Sequence, residues 1–198
     1  MTQASTVPLT GLALAALVFL WSAVDPYDRG TWWMEVAPAL IALPLLFFTY
    51  KRFRLTDLSY ALIGIHASIL MVGGKYTYAR VPLFDVIEGT RNNYDKLGHF
   101  AQGFIPAIIL RELLLRTSPM RPGKWLAAVI VFSCLGISAA YELIEWSAAM
   151  LLGQGAEEFL GTQGDEWDTQ KDMLWAGVGA CAALLTLSRW HDRQLEKI

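Results

Sequence analysis

Six apolar stretches dominate this chain, and each is about as long as a membrane is thick. An α-helix rises 1.5 Å per residue, so roughly 20 apolar residues cross ~30 Å of hydrocarbon, and shorter runs do so with help from interfacial residues. The runs cover residues 9–24, 34–50, 58–74, 97–115, 125–150 and 173–190. They predict an all-α polytopic membrane protein with six transmembrane helices in one bundle, formed by residues 1–198 as a single domain.

Composition supports a membrane class and argues against a nucleic-acid partner. Of the 198 residues 55% are hydrophobic and 17% charged, whereas about a quarter of a soluble domain is charged. The formal net charge is -2, and a nucleic-acid-binding protein needs a basic face.

Cys134 and Cys181 both lie inside apolar runs, where they are interpreted as small buried side chains. The first few residues lack the basic residues of a secretory signal, so we expect the first run to stay attached.

The basic residues of the short loops predict the orientation. Lysine and arginine are concentrated in cytoplasmic loops of membrane proteins. Three segments on one side of a six-span chain are basic: the loop after the second run, the loop after the fourth and the C-terminal tail. Their basic residues are Lys51, Arg52, Arg54, Arg116, Arg121, Lys124, Arg189, Arg193 and Lys197. We therefore expect both termini to be cytoplasmic, with the acidic fifth loop outside.

Three pairs of polar residues fall at the outer ends of the last three runs. Charged side chains at the edge of hydrocarbon are costly, so several on one side need a reason. Residues three or four apart share one face of a helix. The pairs are Asp95 with His99, Glu142 with Glu145, and Asp168 with Asp172. Their common side predicts one site, open to the outer face of the membrane.

The chemistry of these side chains suggests a metal. Five carboxylates around one imidazole repel each other unless a cation is present. Lys96 and Lys171 supply part of that charge, and a divalent metal would supply it more completely. Oxygen-rich ligands with one histidine suit Mg²⁺, Mn²⁺, Fe²⁺ or Zn²⁺. The predicted metal ligands are Asp95, His99, Glu142, Asp168 and Asp172, and the predicted catalytic residues are Glu142, Glu145 and His99.

Ordinary structural roles are the alternative for most of these residues. The acids at the starts of the fourth and sixth runs stand where helix caps and first-turn acids are favoured. His99 could be a satisfied interior histidine, and Glu145 a solvated rim residue. Glu142 is the hardest to explain this way, because a carboxylate near a helix C-terminus opposes the helix dipole.

Two further titratable residues lie in the earlier runs. Glu35 is interpreted as a first-turn acid of the second helix, with the site within its reach. His66 lies about 12 Å below the outer end of the third run by helical rise. It is interpreted as a core histidine hydrogen-bonded to a neighbouring helix.

Two classes of function fit the outer acids. The first is a metal-dependent membrane hydrolase that acts on an envelope lipid or lipid-linked substrate, with a metal activating water and a free acid as general base. The alternative is a proton- or ion-coupled transporter, or a binding protein for a small cationic ligand. Transport requires a polar route below Glu142, where the fifth run offers only Ser133 and Ser138. No phosphate loop, H-E-x-x-H, G-x-S-x-G or C-x-x-C motif is present in the sequence.

The polar segments resemble a known family. YDKLGHFAQGF at 94–104, YELIEW at 141–146 and GTQGDEWDTQKDM at 161–173 are similar to the YjdF-type inner-membrane proteins of bacteria, the DUF2238 family. The likeness continues through GGKYTY at 73–78 and covers nearly the whole chain. It implies a multi-pass protein of the bacterial inner membrane, and it implies no particular activity.

A looser resemblance is to VanZ-like membrane proteins, whose pattern is D-K-x-x-H-F, then E-x-x-Q, then D-x-x-x-N-x-x-G. The matching residues are Asp95, Lys96, His99, Phe100, Glu142, Asp172 and Gly179. Glu145 stands where that family has glutamine, and Ala176 where it has asparagine. By analogy, this likeness implies work on the cell envelope at the outer face.

Overall fold

The computed structural model describes residues 6–84, 91–152 and 163–198, and α-helices account for most of them. In chain order they are α1 (Val7–Ala23), α2 (Arg29–Thr49), α3 (Asp57–Lys75), α4 (Tyr94–Thr117), α5 (Lys124–Leu152) and α6 (Asp168–Leu195). No strand occurs in the described ranges. The predicted all-α fold is therefore confirmed.

The helices have the length and surface of a membrane protein. By length and composition α2, α3, α5 and α6 are able to cross a membrane, whereas α1 is apolar but has only 17 residues. Large apolar side chains point outward all round the bundle, such as Phe47, Phe132 and Leu185, each more than 70% exposed. Such a surface suits lipid better than water. The count of six spans remains a prediction, because α4 carries charged residues near both ends.

The closest helix pair is α4 with α6, and small residues make the approach possible. A Cβ added at Gly103 would clash with the carbonyl oxygen of Ala176, and one added at Gly179 would clash with that of Phe100. Helices in membranes pack closely where glycine and alanine let the backbones meet. This contact fixes the start of α4 opposite the start of α6, which brings together the acids of both.

At the other end of the same helices, a buried ion network joins α4 and α6 to the start of α3. Glu112 is fully buried and accepts hydrogen bonds from the hydroxyls of Thr56, at 2.8 Å, and Ser59, at 2.7 Å. Arg116 Nη1 lies 2.6 Å from Glu112 Oε1, and His191 Nε2 lies 3.3 Å from Glu112 Oε2. The carboxylate is thus well satisfied, as a buried charge must be.

Candidate functional site

Asp95, His99 and Asp172 form the centre of the outer cluster. His99 Nε2 lies 3.5 Å from Asp95 Oδ1 and 3.9 Å from Asp172 Oδ2, and one ligand atom from each residue lies within 4.8 Å of the other two. All three residues are buried. Asp172 Oδ1 has no hydrogen-bond partner in the described part of the chain. Since an unpartnered buried carboxylate oxygen is costly, this arrangement suits a bound cation.

A glutamine sets the orientation of the histidine ring. His99 Nδ1 lies 3.2 Å from Gln102 Oε1. An amide oxygen only accepts hydrogen bonds, so Nδ1 donates in this contact, and Nε2 faces the two aspartates. Metal-binding histidines are commonly held by such a second hydrogen bond. Sequence reasoning missed this role, although Gln102 follows His99 at helical spacing.

Glu142 approaches the same ring from α5, at its other nitrogen. Its Oε1 lies 3.8 Å from His99 Nδ1, and that oxygen is buried without a hydrogen bond among the described residues. Glu142 therefore lies beside the group of Asp95, His99 and Asp172 rather than within it.

The cation closest to the acids is Arg91, just before α4. It forms an ion pair with Asp168, its Nη2 lies 2.9 Å from Asp95 Oδ2, and its Nη1 lies 3.4 Å from Asp165 Oδ2. Burial by itself would lower the pKa of the guanidinium, but the carboxylates of Asp168 and Asp95 outweigh it and the pKa is raised. Asp168, a predicted metal ligand, is thus held by a protein cation.

The two lysines expected to balance the acids have other partners. Lys96 Nζ donates to Asn93 Oδ1 at 2.7 Å, and Lys171 Nζ lies 2.5 Å from Asp165 Oδ2. The sequence offered no helical signal for Arg91, because it precedes the first turn of α4.

The capping alternative for Asp95 is not what the structure shows. The backbone amide of Tyr94, the first residue of α4, donates to Asn92 Oδ1 at 3.0 Å. The two oxygens of Asp95 instead face Arg91 and His99. Its carboxylate therefore belongs to the cluster.

A cavity of about 150 Å³ extends inward from this cluster. Its wall includes Asp95 and His99 at one end and His66 and Pro106 deeper in the bundle. His66 has no hydrogen bond in the described part of the chain, so the expected bond to a neighbouring helix is not found there. An inward cavity of this kind leaves no trace in a single sequence.

Two more buried acids line the cavity, Glu35 from α2 and Glu145 from α5. The Tyr141 hydroxyl donates to Glu35 Oε2 at 3.3 Å. The first-turn interpretation of Glu35 was wrong, because α2 begins earlier, at Arg29. Its N-cap is Asp28, which accepts from the amide of Thr31 at 2.6 Å, and an aspartate before a helical run was the available signal.

Glycines make room for these groups at the outer ends of the helices. The ring of Tyr78 lies where Gly73 of α3 and Gly98 of α4 lack side chains, and a Cβ added at Gly98 would lie 2.9 Å from Tyr78 Cε1. A Cβ added at Gly74 would lie 2.8 Å from Glu35 Cβ. Gly73 and Gly74 therefore admit the side chains of Tyr78 and Glu35 close to the backbone of α3.

Comparison with known proteins identifies the family. The family model described as "Predicted membrane protein (DUF2238)" matches residues 7–193. The chain belongs to the DUF2238 family. It is similar to the inner membrane protein YjdF of Escherichia coli (strain K12), with 50% identity over 192 residues that cover 95% of this chain and 92% of that protein. No solved structure matches. The family and the apolar helices together make this a multi-pass protein of the inner membrane.

Proposed function

We propose that this chain is a metal-dependent membrane hydrolase that acts on an envelope lipid or lipid-linked substrate at the periplasmic face. The observation that carries the proposal is the buried group of Asp95, His99 and Asp172, whose ligand atoms lie within 4.8 Å of one another. The proposed ion is Mg²⁺, Mn²⁺, Fe²⁺ or Zn²⁺, since two carboxylates and one imidazole suit these metals.

A bound divalent ion in such a site supplies Lewis-acid chemistry and makes water a nucleophile at neutral pH. Each residue of the site has a distinct role in the proposed mechanism. Gln102 holds the proton on Nδ1 of His99, so Nε2 stays available as a ligand. Glu142, whose Oε1 is buried and unpartnered among the described residues, is the proposed proton acceptor. Arg91 supplies the positive charge that lies against Asp168 and Asp95.

This proposal changes the parts of three residues from the sequence prediction. Glu142, predicted as a metal ligand and as a catalytic residue, keeps only the catalytic role. Asp168 stabilises the cluster through Arg91 rather than as a ligand. Glu145 lines the cavity, so it faces a substrate rather than the metal group. The predicted catalytic set becomes Glu142 and His99, with Glu145 at the place where a substrate group would lie.

The sidedness of the site rests on the basic loops. They support both termini in the cytoplasm and six spans in one bundle, which puts the outer cluster on the periplasmic side. The cavity wall also reaches the lipid-facing surface, because Ile137 both lines the cavity and is 41% exposed. A lipid-linked substrate could therefore approach from within the bilayer.

A transporter is the second candidate, and His66 is the observation in its favour. Ion relays through membranes use titratable residues at mid-depth, and His66 lies in the cavity. Below the cavity, however, Ala107, Ile108, Ile130 and Cys134 are fully buried in the core. This apolar layer separates the cavity from the ion network of Glu112 and leaves no polar route in the described part of the bundle. It favours the enzyme.

Metal analysis of the purified protein tests the proposal. Under metal-replete conditions we expect roughly one divalent ion per chain, as for a single catalytic site. Asp172→Asn and His99→Ala should lose the ion, and Glu142→Gln should keep it while losing hydrolysis of an envelope lipid extract. Glu196→Gln is the control, an exposed acid at the opposite end of the same helix. Wild-type protein without stoichiometric metal, or Asp172→Asn with full metal, would contradict the proposal.

Flux measurements separate the two candidates. Proteoliposome transport that is lost in His66→Ala but unchanged in Asp172→Asn would favour the transporter. Metal-dependent hydrolysis with no flux would favour the enzyme.

A further inference from the structure

We propose that the cavity beside the metal group binds a small protonated primary amine, of about the size of ethanolamine. The link to catalysis rests on the proposed function: the substrate of the hydrolase would carry this amine in its headgroup. The cavity itself, with its charges and its unpartnered acid, points to the amine independently of any metal.

The carboxylates of the cavity wall favour a cation over an anion. Glu35, Asp95 and Glu145 line the cavity together with His66 and His99, and no lysine or arginine is found among the described residues of the wall. Arg91, the cation of the outer cluster, does not line the cavity. A negatively charged phosphate would be repelled here, whereas an ammonium group would be attracted.

Glu145 is a buried acid of the cavity wall that has no partner among the described residues. It is 91% buried, since only 9% is exposed, and it lines the cavity. In the described ranges it forms no hydrogen bond or ion pair. Burying a carboxylate without a partner is strongly unfavourable, so a bound cationic ligand would offset that free-energy cost. Glu35, which is 3% exposed and also lines the cavity, adds a second carboxylate, which accepts a hydrogen bond from the Tyr141 hydroxyl.

The shape and remaining wall of the cavity favour an organic amine over a bare metal ion. Pro38, Leu70, Pro106 and Ile137 form an apolar part of the wall, which suits methylene groups and offers nothing to a hydrated ion. A volume of about 150 Å³ admits a group of a few heavy atoms and not an acyl chain. Tyr78 and Tyr141 also line the cavity, and aromatic rings attract ammonium groups.

The number of N–H donors distinguishes a primary amine from a quaternary one. A primary ammonium carries three donors, enough for both carboxylates and a tyrosine hydroxyl. A trimethylammonium group has no donor and is bulkier. The ligand could be the headgroup of a lipid or a free small amine, because the recognised chemistry is the same.

Binding to the full-length protein in nanodiscs tests the proposal. Free ethanolamine and choline are titrated in discs of phosphatidylglycerol, and protein stability is compared in discs that also contain phosphatidylethanolamine or phosphatidylcholine. We expect ethanolamine to bind at least ~10-fold more tightly than choline, equivalent to about 1.4 kcal/mol. Glu145→Gln and Glu35→Gln should each weaken ethanolamine binding by a similar factor, and Glu166→Gln, an exposed acid of the outer face, should not.

The comparison of lipids shows whether the bound amine belongs to a lipid headgroup or to a free small molecule. Stabilisation by phosphatidylethanolamine without binding of free ethanolamine would assign the amine to a lipid headgroup, and binding of both would show that the amine alone suffices. Equal affinity for ethanolamine and choline, with no preference for phosphatidylethanolamine, would overturn the proposal. So would unchanged binding in Glu145→Gln. If Glu145→Gln does not fold, Glu145→Asp replaces it, since a shorter carboxylate should also weaken binding.

Metal content separates this proposal from the proposed function. Asp172→Asn should lose metal and keep ethanolamine binding, whereas Glu145→Gln should keep metal and lose ethanolamine binding. Amine binding without metal in wild-type protein would remove the hydrolase alone. Metal without amine binding would remove this inference alone.

Discussion

The Oε1 atom of Gln102 lies 3.2 Å from Nδ1 of His99, on the next turn of α4. The contact turns Nδ1 toward Gln102, so Nε2 faces Asp95 and Asp172. In the proposed metal site Gln102 thereby orients a ligand without being one of the predicted ligands.

Gln102→Leu should therefore weaken metal binding about 10- to 100-fold, the usual effect of removing the partner of a ligating histidine. Competitive titration with a metal chelator measures the affinity. Gln170→Leu is the control, because Gln170 is an exposed residue of α6. Equal affinities in the two variants would mean that Gln102 does not orient the ring.

Gly179→Ala should destabilise the bundle by about 1–3 kcal/mol, because the new methyl group has no space between α4 and α6. The added Cβ would clash with the carbonyl oxygen of Phe100. Reversible unfolding in mixed micelles measures the free energy of unfolding. Gly136→Ala on α5 is the matched control, since nothing lies within 4 Å of its added Cβ, and no loss is expected there. If the Gly179→Ala protein were as stable as the Gly136→Ala protein, the prediction would be wrong, because α4 and α6 would then accommodate the methyl group without a loss in the free energy of unfolding.

Glu112→Ala should cost roughly 3–5 kcal/mol in the free energy of unfolding, as expected when one partner of a buried ion network is removed. The change leaves the hydroxyls of Thr56 and Ser59 and the guanidinium of Arg116 without their acceptor. The same unfolding assay applies. Asp57→Asn, which removes a pair with Arg54 in which both side chains are 37% exposed, should cost about 1 kcal/mol or less. Similar losses in the two variants would contradict the assigned importance of the network.

Asp28 predicts a pH dependence at the start of α2. Hydrogen bonds from Thr31, the backbone amide first, hold the pKa of Asp28 below its ordinary value of 3.8. The ionised side chain therefore stabilises the fold fully above 3.8, and this contribution is lost as the pH falls through the lower, folded-state pKa. Asp28→Asn should be less stable at neutral pH by about 0.3–1 kcal/mol, the usual effect of a charge at a helix N-terminus. The thermal stabilities of the wild-type and Asp28→Asn proteins should converge in acid. A stability difference that grows as the pH falls would contradict the prediction.

The parts of the site that were predictable are those governed by helical spacing. Asp95 and His99, and likewise Asp168 and Asp172, share helix faces because four residues nearly complete one turn. Their common end of the bundle followed from the order of the apolar runs. The tight contact between α4 and α6 was harder to predict, because glycines such as Gly103 and Gly179 are also common in membrane helices for other reasons.

Apart from Gln102, the residues that sequence reasoning missed act across the bundle or from loops. Arg91 precedes the first turn of α4, so no periodicity marks it. The position of Glu35 in the cavity wall depends on how α2 packs against α3, and no pattern within α2 encodes that packing. Tertiary placement of this kind follows from contacts between helices, which a single sequence does not reveal.

The charges of α4 bear on how the chain enters the membrane during synthesis. At one end Asp95 and His99 face Asp172, and at the other Arg111 Nη2 lies 2.6 Å from Asp192 Oδ1, so α6 supplies partners for both ends. Ionised residues near the middle of an inserted helix cost about 2.5–3.5 kcal/mol each at the translocon, and less toward its ends. As one of the six predicted spans, α4 would emerge from the ribosome well before α6 and would meet the lipid without those partners. We therefore expect α4 to remain beside the insertion machinery until α6 arrives, so that the C-terminal half of the protein leaves the translocon as one assembled unit.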